Sequence, residues 1–206
     1  LAGTWKLEIQ APGHLEQSVE LALDGGTSPL EFVLEEAPLL HGIVLDEFGT
    51  VVAGALVTER SGRTSTTEAD GRFVIETGRD VPRLWAKKSG HGPSETLEAM
   101  PPTHGSLDDI VLRLRPACRL SGRVLDADGR PVASVWVGLQ HPERCEPVGT
   151  GSDGDFVLED LAPGEVVVWA TPKEGSWEAR TTTVLVSGAS NTVELLLAPE
   201  SDSTGN

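Results

Sequence analysis

The chain has 206 residues, with 16 Lys plus Arg against 32 Asp plus Glu, and a net charge of -16. This negative charge would repel phosphate backbones and anionic lipid surfaces, so nucleic acid is excluded as a partner. The apolar runs are far shorter than the roughly 20 residues of a membrane-spanning helix, so no membrane insertion is expected, and no signal peptide opens the sequence. The 23 Gly and 14 Pro, among many Val, Leu and Thr, favour strands and turns over helices.

The first 37 residues carry only part of a pattern that recurs later in the chain. Alternating apolar residues place Trp5, Leu7 and Ile9 on the inner face of a strand. Residues 1–37 therefore predict the C-terminal half of a β-sandwich module, which would make the chain a fragment or a product cut inside a module. The strands expected in this half lie near 3–9, 18–23 and 30–34.

Two complete repeats follow, and they share their motifs at an offset of about 80 residues. His41–Val57 matches Ser121–Val137 in its Gly, Val, Leu, Asp and Ala positions, and Asp70–Phe73 matches Asp153–Phe156. The repeats predict modules over 38–116 and 117–199, followed by a polar tail over 200–206. Because composition changes near Pro38 and Pro116–Ala117, these boundaries are expected to be the sites most open to proteases.

The predicted turns of each repeat contain Asp and Gly residues. Asp126-Ala127-Asp128-Gly129 offers oxygens for nearby backbone N–H groups and a glycine free to take positive φ, and Pro131 stands where the next strand begins. The Asp-Gly pairs at 70 and 153 predict a second hairpin in each module. Leu161-Ala162-Pro163-Gly164 fits a type II turn.

This combination of a Gly-Xaa-Val strand, Asp-Xaa-Xaa-Gly-Xaa-Pro-Val, Asp-Gly-Xaa-Phe and Leu-Xaa-Pro-Gly resembles the carboxypeptidase regulatory-like domain. The match is nearly complete in 117–199, lacks the proline in 38–116 and is partial in 1–37. The resemblance implies an all-β fold of tandem Greek-key β-sandwich modules, transthyretin-like and of about seven strands each, with the first module incomplete. It specifies turns rather than a site, so it implies fold more than function.

Chemical motifs are few, and neither catalytic residues, nor a cofactor, nor a metal site are predicted. Residues 149–154 spell the G-x-G-x-x-G dinucleotide fingerprint, but a strand follows them instead of the helix that holds a pyrophosphate. The five His show no HExxH spacing, and the chain has no Tyr for the signatures of transthyretin-like hydrolases or intradiol dioxygenases. The paired Asp residues at 126 and 128 are interpreted as turn carboxylates rather than a calcium loop.

Cys118 and Cys145 are the only cysteines. A disulfide between them would stabilise the last module by about 3 kcal/mol on the chain-entropy model and would suit an oxidising compartment. The alternative is two unpaired thiols, and sequence alone leaves both open because it does not fix the distance between the β-carbons.

Four tryptophans are candidate contacts for a partner or a sugar. Trp85, Trp136 and Trp169 fall on the outward side of their strands, and Trp177 lies in a loop of small and charged residues. An outward Trp can pack against the next module, can be covered by a loop of its own module, or can stack on a sugar ring.

The sequence thus predicts a non-catalytic array of sandwich modules, serving as structural spacer and protein-interaction surface in a larger secreted or surface protein. Its partners would be other modules of the same polypeptide, another protein or a polysaccharide, in an extracellular, cell-surface or periplasmic location. Two alternatives remain: a carbohydrate-binding module, and an accessory domain of an enzyme outside this sequence.

Overall fold

The structure is a computed structural model that describes residues 3–23, 29–99, 106–140, 145–172 and 179–197. These ranges contain β-strands and no helix, which confirms the predicted all-β fold. In chain order the strands are β1 (Gly3–Ile9), β2 (Gln17–Leu23), β3 (Leu39–Leu45), β4 (Leu56–Glu59), β5 (Thr64–Thr66), β6 (Arg72–Glu76), β7 (Arg83–Lys87), β8 (His91–Gly92), β9 (Leu97–Glu98), β10 (Ser106–Arg113), β11 (Arg115–Pro116), β12 (Cys118–Asp126), β13 (Val135–Gln140), β14 (Val148–Gly149), β15 (Asp155–Leu161), β16 (Gly164–Pro172), β17 (Ala179–Leu185) and β18 (Asn191–Leu197).

The first unit is an antiparallel hairpin of β1 and β2. The predicted inner row of β1 is wrong: Trp5 is 59% exposed and Leu7 38%, because no second sheet packs over this face among the described residues. A strand over 30–34 is also wrong, since this stretch pairs with nothing described and Val33 is 87% exposed. A bridge between His14 and Glu36 ties the hairpin to the chain that enters β3.

The middle unit is a complete sandwich. One sheet has the order β10-β3-β6, with β10 parallel and β6 antiparallel to β3, and the other has the order β5-β4-β7-β9. The chain thus crosses between the two sheets repeatedly, from β3 to β4, from β5 to β6, from β6 to β7 and from β9 to β10, as in a Greek key. The inward residues form one core, which includes Leu40, Val57, Leu84 and Leu112.

The last unit repeats this arrangement with sheets β15-β12-β18 and β14-β13-β16-β17, and β18 runs parallel to β12. Its inward residues form a separate core, which includes Leu120, Val137, Val168 and Leu195. The chain is therefore a tandem array of two complete sandwiches preceded by a hairpin.

The Gly-Xaa-Val and Asp-Gly-Xaa-Phe motifs meet across the sheet. Gly42 pairs with Phe73 and Gly122 pairs with Phe156 in neighbouring antiparallel strands. A Cβ on Gly42 or Gly122 would lie 2.5 Å from the Cζ atom of the facing Phe ring, so each ring occupies the place where a side chain would stand. The two motifs are one packing unit.

The acidic turns form as predicted. Asp46 Oδ1 accepts the N–H groups of Phe48 (2.9 Å) and Thr50 (2.8 Å), and Asp126 Oδ1 accepts those of Asp128 (2.9 Å) and Arg130 (2.8 Å). The hairpins predicted at the Asp-Gly pairs 70 and 153 are wrong, because β5 and β6, like β14 and β15, lie in different sheets and each turn carries the chain from one sheet to the other. In the 149–154 turn the Gly154 N–H donates to the Gly151 carbonyl at 3.1 Å.

Candidate functional site at the joint between the sandwiches

The segment that leads into the second sandwich is paired with a short strand of the first. β11 pairs antiparallel with β8, with Arg115 opposite Gly92 and Pro116 opposite His91, and β12 begins at Cys118. The Arg115 guanidinium also donates from Nε to the Pro93 carbonyl at 2.8 Å. The boundary near Pro116–Ala117 is therefore an ordered connection rather than the open linker that composition suggested.

Gly92 brings the loop of the first sandwich against the second. A Cβ at this position would lie 2.8 Å from the Ala162 Cα, the Leu161 carbonyl oxygen and the Pro116 carbonyl oxygen. Ala162 is fully buried and Leu161 is nearly so. Because backbone atoms rather than flexible side-chain ends surround Gly92, a larger residue would have to push the two sandwiches apart.

Asp160 forms the polar half of the same contact. Its φ of 56° lies in the left-handed region, which L-residues other than Asn and Asp seldom adopt, and it sits in β15 where the ladder with β12 changes register. Its Oδ1 accepts the Gly90 N–H at 2.8 Å across the joint. The bulge thus aims a carboxylate at the backbone of the neighbouring sandwich.

A cleft of about 1080 Å³ opens beside this contact, with walls from both sandwiches. Trp85 lines it from β7, whose alternate residues Leu84 and Ala86 are buried in the core. Alternation therefore directs Trp85 outward together with Arg83 and Lys87.

The cleft contains charges of both signs. Its cationic side chains besides His91 are Arg60, Arg83, Lys87 and Lys88. Its carboxylates are Glu98, Glu146, Glu159 and Asp160.

Several of these charges are engaged within the protein. Arg83 pairs with Glu98 at 2.6 Å, Arg119 approaches Glu159 at 3.6 Å, and Lys88 Nζ donates to the Gly54 carbonyl at 3.1 Å. The cleft is therefore polar and electrostatically balanced, within a chain that is acidic overall.

Trp136 and Trp169 lie outside the cleft. Trp169 lies over Gly138 of the neighbouring strand, where an added Cβ would lie 2.6 Å from the indole Cζ2. Trp136 shares that outer face and is 41% exposed, and Trp177 lies outside the described residues. Among the described residues, the structure thus brings neither Trp136 nor Trp169 beside Trp85.

Cys118 is buried, and Cys145 is half-buried against the same core and lines the cleft. Their disulfide stays a prediction.

Sequence reasoning missed Gly90, Gly92 and Asp160. The local signal, a Gly-Xaa-Gly after the Trp85 strand, reads as an ordinary turn. Only the packing of one repeat on the next gives these residues a role.

In the described part of the chain, no group of three or more His, Cys, Asp or Glu could hold a metal ion. Over the same ranges no helix is of the length and apolarity that crossing a membrane requires.

The fold and the joint define a class of protein, a tandem β-sandwich array with ordered connections. A family model described as an acetyltransferase (GNAT) domain matches residues 57–186, so by sequence the chain belongs to that family. The matched segment begins inside β4 of one sandwich and ends after β17 of the other, crossing the joint between two cores. Because a domain folds around one core of its own, the matched segment corresponds to no single folded unit of this chain, and the membership is one of sequence pattern.

Solved structures similar to the chain include several pilins. A streptococcal ancillary pilin is 14% identical with a TM-score of 0.35, covering 97% of this chain and 76% of that one. The minor pilin GBS52 of Streptococcus agalactiae is 12% identical with a TM-score of 0.38, covering 82% and 100%. The Bacillus anthracis TIE protein is 13% identical with a TM-score of 0.34, covering 96% and 41%. A comparison with curated proteins found no match.

Proposed function

We propose that the chain is a non-catalytic structural array, in which modules over 38–116 and 117–199 serve as a rigid spacer and protein-interaction surface of a larger secreted or surface protein. The modules are interpreted as carboxypeptidase regulatory-like domains of transthyretin-like fold, on the motifs described above. Their first partners are the neighbouring modules of the same polypeptide.

The joint is the observation that supports this proposal. A spacer must hold its ends at a fixed distance and angle, and a flexible linker would lose both. Here the strand pair β8–β11, the close approach of Gly92 and the Asp160–Gly90 hydrogen bond all cross or adjoin the boundary. Such a contact restricts the relative motion of the two sandwiches.

Amide ¹⁵N relaxation tests the rigidity directly. If the joint is rigid, amides of the two sandwiches report one rotational correlation time. Gly92→Val should split this into two shorter times, because the added side chain forces the Ala162 backbone away. Gly149→Val is the matched control, since a Cβ there meets nothing within 4 Å and should leave a single time.

Two different correlation times in the wild-type chain would contradict the spacer proposal. A Gly92→Val chain that still tumbles as one body would show that the joint does not depend on this contact.

A further inference from the structure

The cleft at the joint has a property that a spacer does not require, namely an aromatic side chain held inside a polar cavity. Ligand sites occur preferentially where two folded units meet, with volumes of about 300–1,000 Å³ and a few placed polar groups. The cleft, at about 1080 Å³, is slightly above the upper end of this range, and the Asp160–Gly90 hydrogen bond at 2.8 Å connects one wall to the other.

Trp85 is held by the sheet rather than by a loop. Its backbone pairs with Thr58 of β4, and its neighbours in β7 pair with β9, Leu84 with Leu97 and Arg83 with Glu98. A strand paired on both sides presents its outward side chain with little conformational freedom. An indole fixed in this way gives the wall of the cleft a flat apolar surface on which a ring can stack.

The charges define the chemistry of that ligand. Four Lys and Arg side chains and four carboxylates line the cavity, so there is no excess of one sign to select an ionic ligand. Guanidinium and ammonium groups donate and carboxylates accept, so the walls offer both kinds of hydrogen bond. A ligand that needs donors and acceptors together, with an apolar face for the indole, is a neutral polyhydroxylated ring.

We propose that the cleft between the two sandwiches binds a neutral oligosaccharide, with a sugar ring stacked on Trp85 and its hydroxyls bonded by Lys87 and Arg60 of one wall and Glu146 of the other. The proposal shares the joint with the spacer function but does not follow from it. A spacer can be rigid without binding a sugar.

Isothermal titration calorimetry against soluble neutral oligosaccharides tests the site, with the cello-, malto-, xylo-, manno- and N-acetylchito- series as probes. We expect one series to bind the wild-type chain, and Trp85→Ala to weaken that binding about tenfold or more. Trp85→Phe should retain part of the affinity, because a smaller ring still offers a face. Trp136→Ala is the matched control and should bind as wild type, since Trp136 lies outside the cleft.

The dependence of binding on ionic strength and the affinity of the Gly92→Val variant give two further tests. Binding of a neutral ligand should change little as ionic strength rises, because no ion pair is formed. Gly92→Val should lower the affinity while Trp85→Ala leaves the correlation time of the chain unchanged, which separates this proposal from the spacer.

Several outcomes would overturn the proposal: no binding of any series, binding that Trp136→Ala abolishes and Trp85→Ala spares, or salt-sensitive binding confined to acidic saccharides. Affinity that is indifferent to Gly92→Val would overturn the part that assigns the site two walls.

Discussion

At the scale of single residues, the Gly and Phe of the repeated motifs explain each other. Gly122 lacks a side chain because the Phe156 ring takes that space, with its Cζ 2.5 Å from where a Cβ would stand, and the Gly42–Phe73 pair is built in the same way. The Val193 carbonyl of the parallel strand β18 closes the other side. The space beside Gly122 is therefore filled from two directions. Neither the Phe156 ring nor the Val193 carbonyl can move without disturbing the pairing of its strand with β12.

The first prediction follows from this packing. Gly122→Ala should lower the free energy of unfolding by about 1–3 kcal/mol, as overpacking of a filled core does. Chemical denaturation monitored by tryptophan fluorescence measures it. Gly149→Ala, at an open strand position, should change stability by less than about 0.5 kcal/mol. Equal effects at the two glycines would count against the Gly–Phe packing unit.

A second residue-scale feature is a buried threonine before each Asp-Gly turn. Thr67 Oγ1 accepts the Ala55 N–H at 2.8 Å and donates to the Val52 carbonyl at 2.7 Å. Thr150 does the same for Val135 (3.0 Å) and Val132 (2.8 Å). Each hydroxyl satisfies backbone groups where the chain enters the second sheet. Thr77, by contrast, is fully buried and its Oγ1 has no hydrogen-bond partner in the described ranges.

The second prediction compares the substitution of Thr67 with that of Thr77. Thr67→Val should destabilise the chain by about 2 kcal/mol, because it leaves a buried N–H and a buried carbonyl without partners. Thr77→Val keeps the shape and removes an unsatisfied hydroxyl, so it should raise stability by about 1 kcal/mol. Melting of the two variants checks the signs, and a loss of stability in both would contradict the hydrogen-bond assignment.

At the scale of elements, the turn between β3 and β4 depends on an ionised carboxylate. The Thr50 N–H is the largest of the causes that lower the pKa of Asp46, and the Phe48 N–H acts in the same direction. Since the folded pKa lies below the unfolded one, the turn contributes stability above the unfolded pKa and loses it as pH falls through the folded value.

The third prediction is the corresponding pH dependence. Asp46→Asn should be less stable than wild type at pH 7, and the difference should shrink as pH falls below the unfolded pKa of an Asp, about 4, and is lost once pH has passed through the lower folded pKa of Asp46. Urea midpoints between pH 7 and pH 2.5 measure the difference. A difference that stays constant over this range would show that the charge of Asp46 is not what stabilises the turn.

The connecting segments also differ as elements. Residues 29–35 pair with no described strand and include the exposed Val33, whereas Arg115–Pro116 is paired as β11. The expectation of equal protease access near Pro38 and Pro116 is therefore revised, since cleavage needs an extended, unpaired backbone.

The fourth prediction is that limited proteolysis cuts before Pro38 and spares Pro116–Ala117, leaving one product that contains both complete sandwiches. Mass spectrometry of a time course identifies it. Gly92→Val is the comparison, because loosening the joint should expose the second boundary. Early separation of the two sandwiches in the wild type would argue against an ordered joint.

At the scale of the whole molecule, the described residues form two cores, and each core lies between its own pair of sheets. The acetyltransferase family match runs across both. The fifth prediction is that the chain, incubated with acetyl-CoA and a lysine-containing peptide, acetylates no more peptide than a heat-denatured sample does. Mass spectrometry of the peptide gives the readout, and turnover that heat abolishes would overturn the non-catalytic proposal.

The sequence by itself determined the turns, the strands of the two complete repeats and therefore the all-β tandem fold. These features depend on local chemistry: Asp126 bonds the backbone within four residues, and Val137 and Val168 alternate with outward neighbours whatever lies beyond them. The alternation rule gave a wrong result in β1. The inner face that it predicted there is buried only if a second sheet packs on it. Strand alternation also predicted that Trp85 points outward, but it did not predict that Trp85 lines a cleft.

Only the tertiary structure decided the joint and its cleft. Gly92, Asp160 and Ala162 come from segments about 70 residues apart, and they meet because one sandwich packs on the next. No spacing in the sequence predicts this contact, because each of these residues forms an ordinary turn or strand end within its own repeat. The cleft lined by Trp85 and Glu146 exists only between repeats, so its walls are set by the orientation of two cores and not by the pattern of either one.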